Sequence, residues 1–281
     1  LRRPASKPGP ARRERGFALL IVLWTLALLA LLTTQLTAAG RAQTQLAGNL
    51  RSAALLEAAA DGGVSEAVFR VLQGAWLADG KPHEVSIGGV GVEVRVADEA
   101  GKINPNFSPP AVMESLLRNI GVEPGKAANL SAAIADWRTR GSQPRAGGAK
   151  LAQYKAAGTD WGPAGRPFES LDEMGLVLGM TPQIMARLRP YLSVFKEGEV
   201  QRAGAAPEAV QALDDADLAQ QGPAPGLAFD SPNLVARVTA AARAPDGSFT
   251  RVAIVRMKKE LLPDDPLYQI LDWTEAAPAA R

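Results

Sequence analysis

The chain has 281 residues, 47% of them hydrophobic and 21% charged, with a formal net charge of +2. That length suffices for one sizeable core or two small ones, and that charge is too small to imply a nucleic-acid partner by itself. There is no cysteine and one histidine, His83. Disulfide staples, thiolate metal sites and Cys nucleophiles are therefore excluded, and a triad or multi-His metal site has a single residue to be built on.

Residues 1–16 carry Arg2, Arg3, Lys7, Arg12, Arg13 and Arg15 against Glu14 alone. An uncharged stretch then runs from Phe17 to Gly40 and is strongly apolar as far as Leu32. About 20 apolar residues cross a bilayer as a helix, and a basic cluster directly before them favours a cytoplasmic N-terminus. Hydropathy thus predicts a single pass, with a leader at 1–16, a membrane-spanning half-helix at 17–40 and an exported remainder. Three readings compete: a cleaved secretory signal with Thr37-Ala38-Ala39 as a weak site, a plain signal anchor, and a leader removed before a retained helix. The third rests on Arg13-Glu14-Arg15-Gly16-Phe17, which resembles the type III signal of prepilins. The resemblance implies cleavage after Gly16 by a prepilin peptidase and N-methylation of Phe17. Most pilins carry Glu at the fifth mature position, where it neutralises a neighbouring subunit's terminal amine in an apolar filament core. Here that position is Ile21.

Residues 41–78 keep a helical pattern, with Leu46, Leu50, Ala54, Leu55 and Ala58, then Val64, Ala67, Val68, Val71 and Leu72, at three-to-four spacing. Gly62-Gly63 offers a kink. Strands are expected at His83–Ile87 and Val90–Val96, the second alternating as V-x-V-x-V-x-V, with Gly88-Gly89 as the turn. Short amphipathic helices follow at 110–120, 125–139, 149–157, 170–178 and 182–194, each too short to stand alone. Residues 197–229 are rich in Ala, Gln, Gly and Pro and read as a mobile loop. Strands return at Asn233–Ala241 and Ser248–Lys258 around Ala244-Pro245-Asp246-Gly247, and again at Tyr268–Trp273. The fold class is α+β: a long N-terminal helix packed on an antiparallel sheet, with an all-helical subdomain at 107–196 inserted between the second and third strands. The first strands then belong to 41–106, a linker to 197–230 and the last strands to 231–281.

Four motifs in this order resemble the K-type minor pseudopilins (GspK family) of type II secretion. They are Arg15-Gly16-Phe17 with its apolar run and Ile21; Asp98-Glu99-Ala100-Gly101-Lys102-Ile103-Asn104-Pro105-Asn106; Ala135-Asp136-Trp137-Arg138; and Pro167-Phe168-Glu169-Ser170-Leu171-Asp172-Glu173-Met174, with Leu188-Arg189-Pro190-Tyr191-Leu192 after it. The resemblance implies a pilin-like fold and no enzymatic activity. It also implies an inner-membrane protein with a periplasmic head that caps the pseudopilus with the I-type and J-type minor pseudopilins. The implied accessory partners are the prepilin peptidase and the inner-membrane secretion platform. Absence of the fifth-position Glu is characteristic of the K type, and a subunit without it suits the tip.

The family's D-W motif continues into acidic residues in a calcium-binding region. Here Thr139, Gly141, Lys150 and Leu151 stand where acids are expected, so Asp136 remains as a remnant of that site and no cofactor is expected. A helix cap, or a pairing with Arg138 or Arg140, is the role expected for Asp136. The carboxylate pairs Asp98/Glu99 and Asp172/Glu173 are adjacent in sequence, and adjacent side chains do not converge for acid–base chemistry; they read as turn or cap groups. His83 reads as a solvent-facing residue at a strand start. A second function class is weighed as well. Asn119-Ile120-Gly121-Val122 and Leu176-Val177-Leu178-Gly179-Met180-Thr181 resemble helix-hairpin-helix elements, which hold DNA phosphates at helix N-termini. Arg187 and Arg189 lie beside them, but the block lacks a basic cluster.

Overall fold

The computed structural model describes residues 13–196, 198–220, 233–258 and 266–276. The leader expected at 1–16 lies outside them up to residue 12, as do 221–232, which hold the end of the expected linker. By contacts the chain divides into two units, Leu1–Leu56 and Glu57–Arg281.

The first helix, α1, runs from Arg13 to Leu72. In the first unit its apolar side chains, among them Phe17, Ile21, Trp24 and Leu28, are exposed. Among the described residues no helix is long and apolar enough to cross a membrane. The single-pass inner-membrane topology expected from hydropathy is corrected on that finding.

In the second unit, the end of α1 lies on a five-stranded antiparallel sheet of order β1-β2-β3-β4-β5. The strands are β1 (Asp79–Ile87), β2 (Val90–Asp98), β3 (Asn233–Ala244), β4 (Gly247–Lys258) and β5 (Tyr268–Glu275). Gly88 and Gly89, at φ 58° and 84°, make the primed turn whose twist matches the flanking strands. Pairing across the insertion is direct, Val94 opposite Ala240 and Val96 opposite Val238. Alternation along β2 and β3 puts Val92, Val94 and Val96 beside Ala236, Val238, Ala240 and Ala242 on one buried face. Ala59, Ala60, Val64, Ala67 and Val68 of α1 are buried too. These small residues let helix and sheet approach closely. A Cβ on Gly63 would lie 2.9 Å from Val92 and 3.2 Å from Ala240, and one on Gly62 would lie 2.7 Å from Ile87. The glycine pair therefore serves close packing, and α1 runs through it uninterrupted. Arg251 of β4, largely buried, reaches Asp61 (2.6 Å) and Glu57 (2.8 Å) on the helix.

The inserted block holds α2 (Pro110–Asn119), α3 (Pro124–Trp137), α4 (Leu151–Ala156) and α5 (Pro182–Leu188). Its 170–178 segment forms only a short 3-10 turn, Asp172–Leu176. Leu116, Leu117, Leu130, Trp137, Tyr154, Phe168, Met174 and Leu188 fill one continuous core. The mobile loop expected over 197–229 is corrected by α6 (Pro207–Gln220). Ala209, Ala212 and Ala216 are buried in that same core, spaced three and four apart on one helix face. Asp215 accepts a hydrogen bond from the Ser115 hydroxyl (2.6 Å), and the Glu208 carbonyl accepts from Asn119. Composition concealed this helix, because alanine serves a tight helix–helix contact as readily as a linker.

Candidate functional site

Three of the four sequence motifs converge. Residues 98–106 form the neck where the helical block leaves the sheet. Asp98 Oδ1 accepts from the Ala100 N–H (2.8 Å), closing a turn. Glu99, fully buried, is held at 3.0 Å by both Lys102 and Arg237. Ile103 pairs with the returning chain: its N–H donates to the Tyr191 carbonyl and its carbonyl accepts from the Ser193 N–H. The Asn104 side chain donates to the carbonyls of Val194 and Lys196 at 3.1 and 2.6 Å. Outgoing and returning segments are thus clasped side by side.

Asn106 ties this neck to the P-F segment. Its Nδ2 donates to the Phe168 carbonyl (2.9 Å) and its Oδ1 accepts the Phe168 N–H (2.7 Å). Phe168 stacks on Trp137, with ring centroids 6.0 Å apart and planes 3° from parallel. The Trp137 indole N–H donates to Glu173, whose other oxygen accepts the Glu169 N–H. Arg138 closes the circuit by donating to the carbonyls of Pro105 (2.8 Å) and Ser108 (2.7 Å). Burial, with Arg145 adding its like charge, lowers the Arg138 pKa from its ordinary value. Buried polar groups arranged this way specify one geometry, since each one left unpaired is expensive.

The carboxylates fall where turns and ion pairs need them. Asp172 pairs with Arg189, while Glu173 braces Trp137 and the turn before it. His83 corrects its expectation: it is half-buried and stacks on Trp76 at 4.1 Å, with the rings 8° from parallel. Phe17 and Ile21 are both exposed on α1, and the backbone of Gly16 lies within the same helix.

Asp136 departs from its expected pairing with Arg138 or Arg140. Its buried carboxylate takes Arg145 instead, the backbone N–H at 2.9 Å and Nη1 at 2.8 Å. A Cβ on Gly148 would lie 2.1 Å from Asp136 Oδ2, so only glycine lets the loop close over this group. Lys150 is buried beside it. Its ammonium donates to the carbonyls of Asp136 (2.6 Å) and Thr139 (2.5 Å) and to the Thr139 hydroxyl (3.3 Å). These residues do not fit a divalent cation: one carboxylate is committed to Arg145, and a positive charge sits among the remaining oxygens. Among the described residues no group of three or more His, Cys, Asp or Glu side chains is placed to hold a metal ion.

The arginines beside the two helix-hairpin-helix-like turns make contacts within the fold. Arg187 donates to the Ile120 carbonyl (2.8 Å) and Arg189 pairs with Asp172. Thr181 caps α5 through the Ile184 N–H. Both arginines are exposed, and each has a partner within the fold.

Sequence reasoning missed Arg145, Arg237 and α6 as parts of this assembly. Arg145 lies nine residues beyond Asp136 and Arg237 is 138 residues from Glu99, so neither pairing leaves a local pattern.

A family model described as type II secretion system (T2SS), protein K matches residues 95–197, from the neck through the helical block. The type II secretion system protein K of Klebsiella pneumoniae is 26% identical over 215 residues, covering 67% of this chain. The protein of the same name from Pectobacterium carotovorum subsp. carotovorum is 31% identical over 84 residues, 30% of this chain. The chain spans 65% of the length of the first relative and 26% of the second. In fold it is similar to a chain in the crystal structure of the GspK-GspI-GspJ complex from enterotoxigenic Escherichia coli. The TM-score is 0.60 at 15% identity, covering 85% of this chain and 99% of that one.

Proposed function

We propose that this member of the type II secretion protein K family works as a minor pseudopilin at the tip of the pseudopilus. There it joins the I-type and J-type minor pseudopilins, helps initiate assembly, and so promotes export of folded periplasmic proteins across the outer membrane. The observation that carries this reading is the inserted helical block. Its three motifs build one clasp at the neck, in the segment that matches the family model. The carboxylates of that clasp are bound by turns and cations, which suits a scaffold rather than a catalyst.

The same reading assigns the Gly16–Phe17 bond to a prepilin peptidase and the methyl group to the new Phe17 amine. It gives Ile21 a purpose. An apolar side chain at this position offers no carboxylate to a subunit above, and the tip subunit has none above it. The inner-membrane secretion platform is the remaining partner that the reading requires.

Deletion of the gene from the cell that encodes it tests the proposal. Exported proteins are expected to accumulate in the periplasm and to reach the medium again when the gene is restored. Unchanged export from the deleted strain would overturn the reading. Mass analysis of the purified chain is expected to find N-methyl-Phe at Phe17, and Gly16→Ala is expected to leave the leader attached.

A further inference from the structure

We propose that the Lys150 ammonium is a built-in cation on which the α3–α4 loop closes, doing from within the chain what a bound metal ion would do from outside. Lysine is almost never fully buried without a partner, and Lys150 is 3% exposed. Its partners are not carboxylates. They are two main-chain carbonyls and a hydroxyl, those of Asp136 and Thr139, an oxygen-only set of the kind hard cations take. Three acceptors match the three N–H donors of an ammonium.

The position on the helix explains why a cation is wanted there. Helix α3 ends at Trp137, and the last carbonyls of a helix lack intrahelical partners and carry the negative end of its dipole. Asp136 adds a buried carboxylate at the same end. Two positive groups answer these charges from one short loop, Arg145 on the carboxylate and Lys150 on the carbonyls. Lys150 also starts α4, where its N–H donates to Gln153 Oε1 (3.0 Å). One residue therefore joins the end of α3 to the start of α4. Loop closure here depends on a side-chain charge and not on the supply of an ion.

The test is thermal unfolding of the full chain. The wild-type midpoint is expected to be the same in chelator and in millimolar calcium. Lys150→Ala is expected to lower it by roughly 4 °C or more. Propylammonium chloride replaces the lost atoms and charge, and is expected to recover part of that loss in Lys150→Ala, whereas sodium chloride at equal ionic strength does not. Stabilisation of the wild type by calcium, an unchanged midpoint in Lys150→Ala, or equal effects of the two salts on the variant would each overturn the proposal. Should Lys150→Ala fail to fold, the wild-type calcium arm still decides, and Lys150→Met, which keeps the stem without the charge, takes its place in the salt comparison.

Discussion

The sheet and the inserted block hold together by opposite means. Between α1 and the sheet, Gly62, Gly63 and runs of Ala and Val bring two backbones close, and little volume is left to lose. In the block, large side chains around Trp137 fill a core between short helices, and a polar clasp fixes where those helices start and stop. A region built on closeness is damaged by added atoms, whereas one built on large side chains and buried hydrogen bonds is damaged by removed ones.

The largest effect is expected in the block. Trp137→Ala removes the stacked partner of Phe168 and one of the donors to Glu173, and should cost about 3–5 kcal/mol in urea unfolding. Gly63→Leu comes next, at about 1–3 kcal/mol or more, because Val92 and Ala240 already stand at contact distance. Hydrogen exchange should separate the two, with β2 and β3 losing protection in Gly63→Leu and α2 and α3 losing it in Trp137→Ala. A Trp137→Ala variant as stable as the wild type would erase the contrast.

Asn106→Ala leaves the Phe168 N–H and carbonyl without partners, at about 1–3 kcal/mol. Asn106→Asp keeps the acceptor and should recover part of that loss. The smallest expected effect is a pH dependence. Burial raises the Tyr154 pKa, the Asp136 charge adds to the rise, and the hydrogen bond from the Leu178 N–H opposes it. The neutral phenol is therefore the form that fits the fold. Its contribution is complete below the unfolded value near 10 and is lost as pH rises through the higher folded value. Tyr154→Phe should remove that alkaline loss from a series of unfolding midpoints.

Much of this comparison was legible in the chain, for physical reasons that differ by element. The alternating valines of β2 and the Gly88-Gly89 turn are local signals, and both strands they predict are present. The insertion was legible because an unpaired hairpin on each side of a helical run has to find a partner. Helix α6 was not, since its buried face is written in alanine. The partners of Asp136 and Glu99 were not either. The nearest arginines in sequence are not the nearest in space, and Arg138, one of the two offered for Asp136, serves the neck instead. The reading of the N-terminal run as a membrane span rested on composition over Phe17–Gly40 and is not supported among the described residues.

The central claim is that this chain is the K-type subunit of a three-protein tip. It is tested most directly by mixing the purified full chain with the I-type and J-type minor pseudopilins of the same cell and measuring the mass of the eluting species by light scattering. A single species containing all three proteins is expected, and it should be lost when the I-type protein is withheld or weakened when Trp137→Ala loosens the block. Elution of this chain alone, at every concentration tried and with both partners folded, would contradict the account.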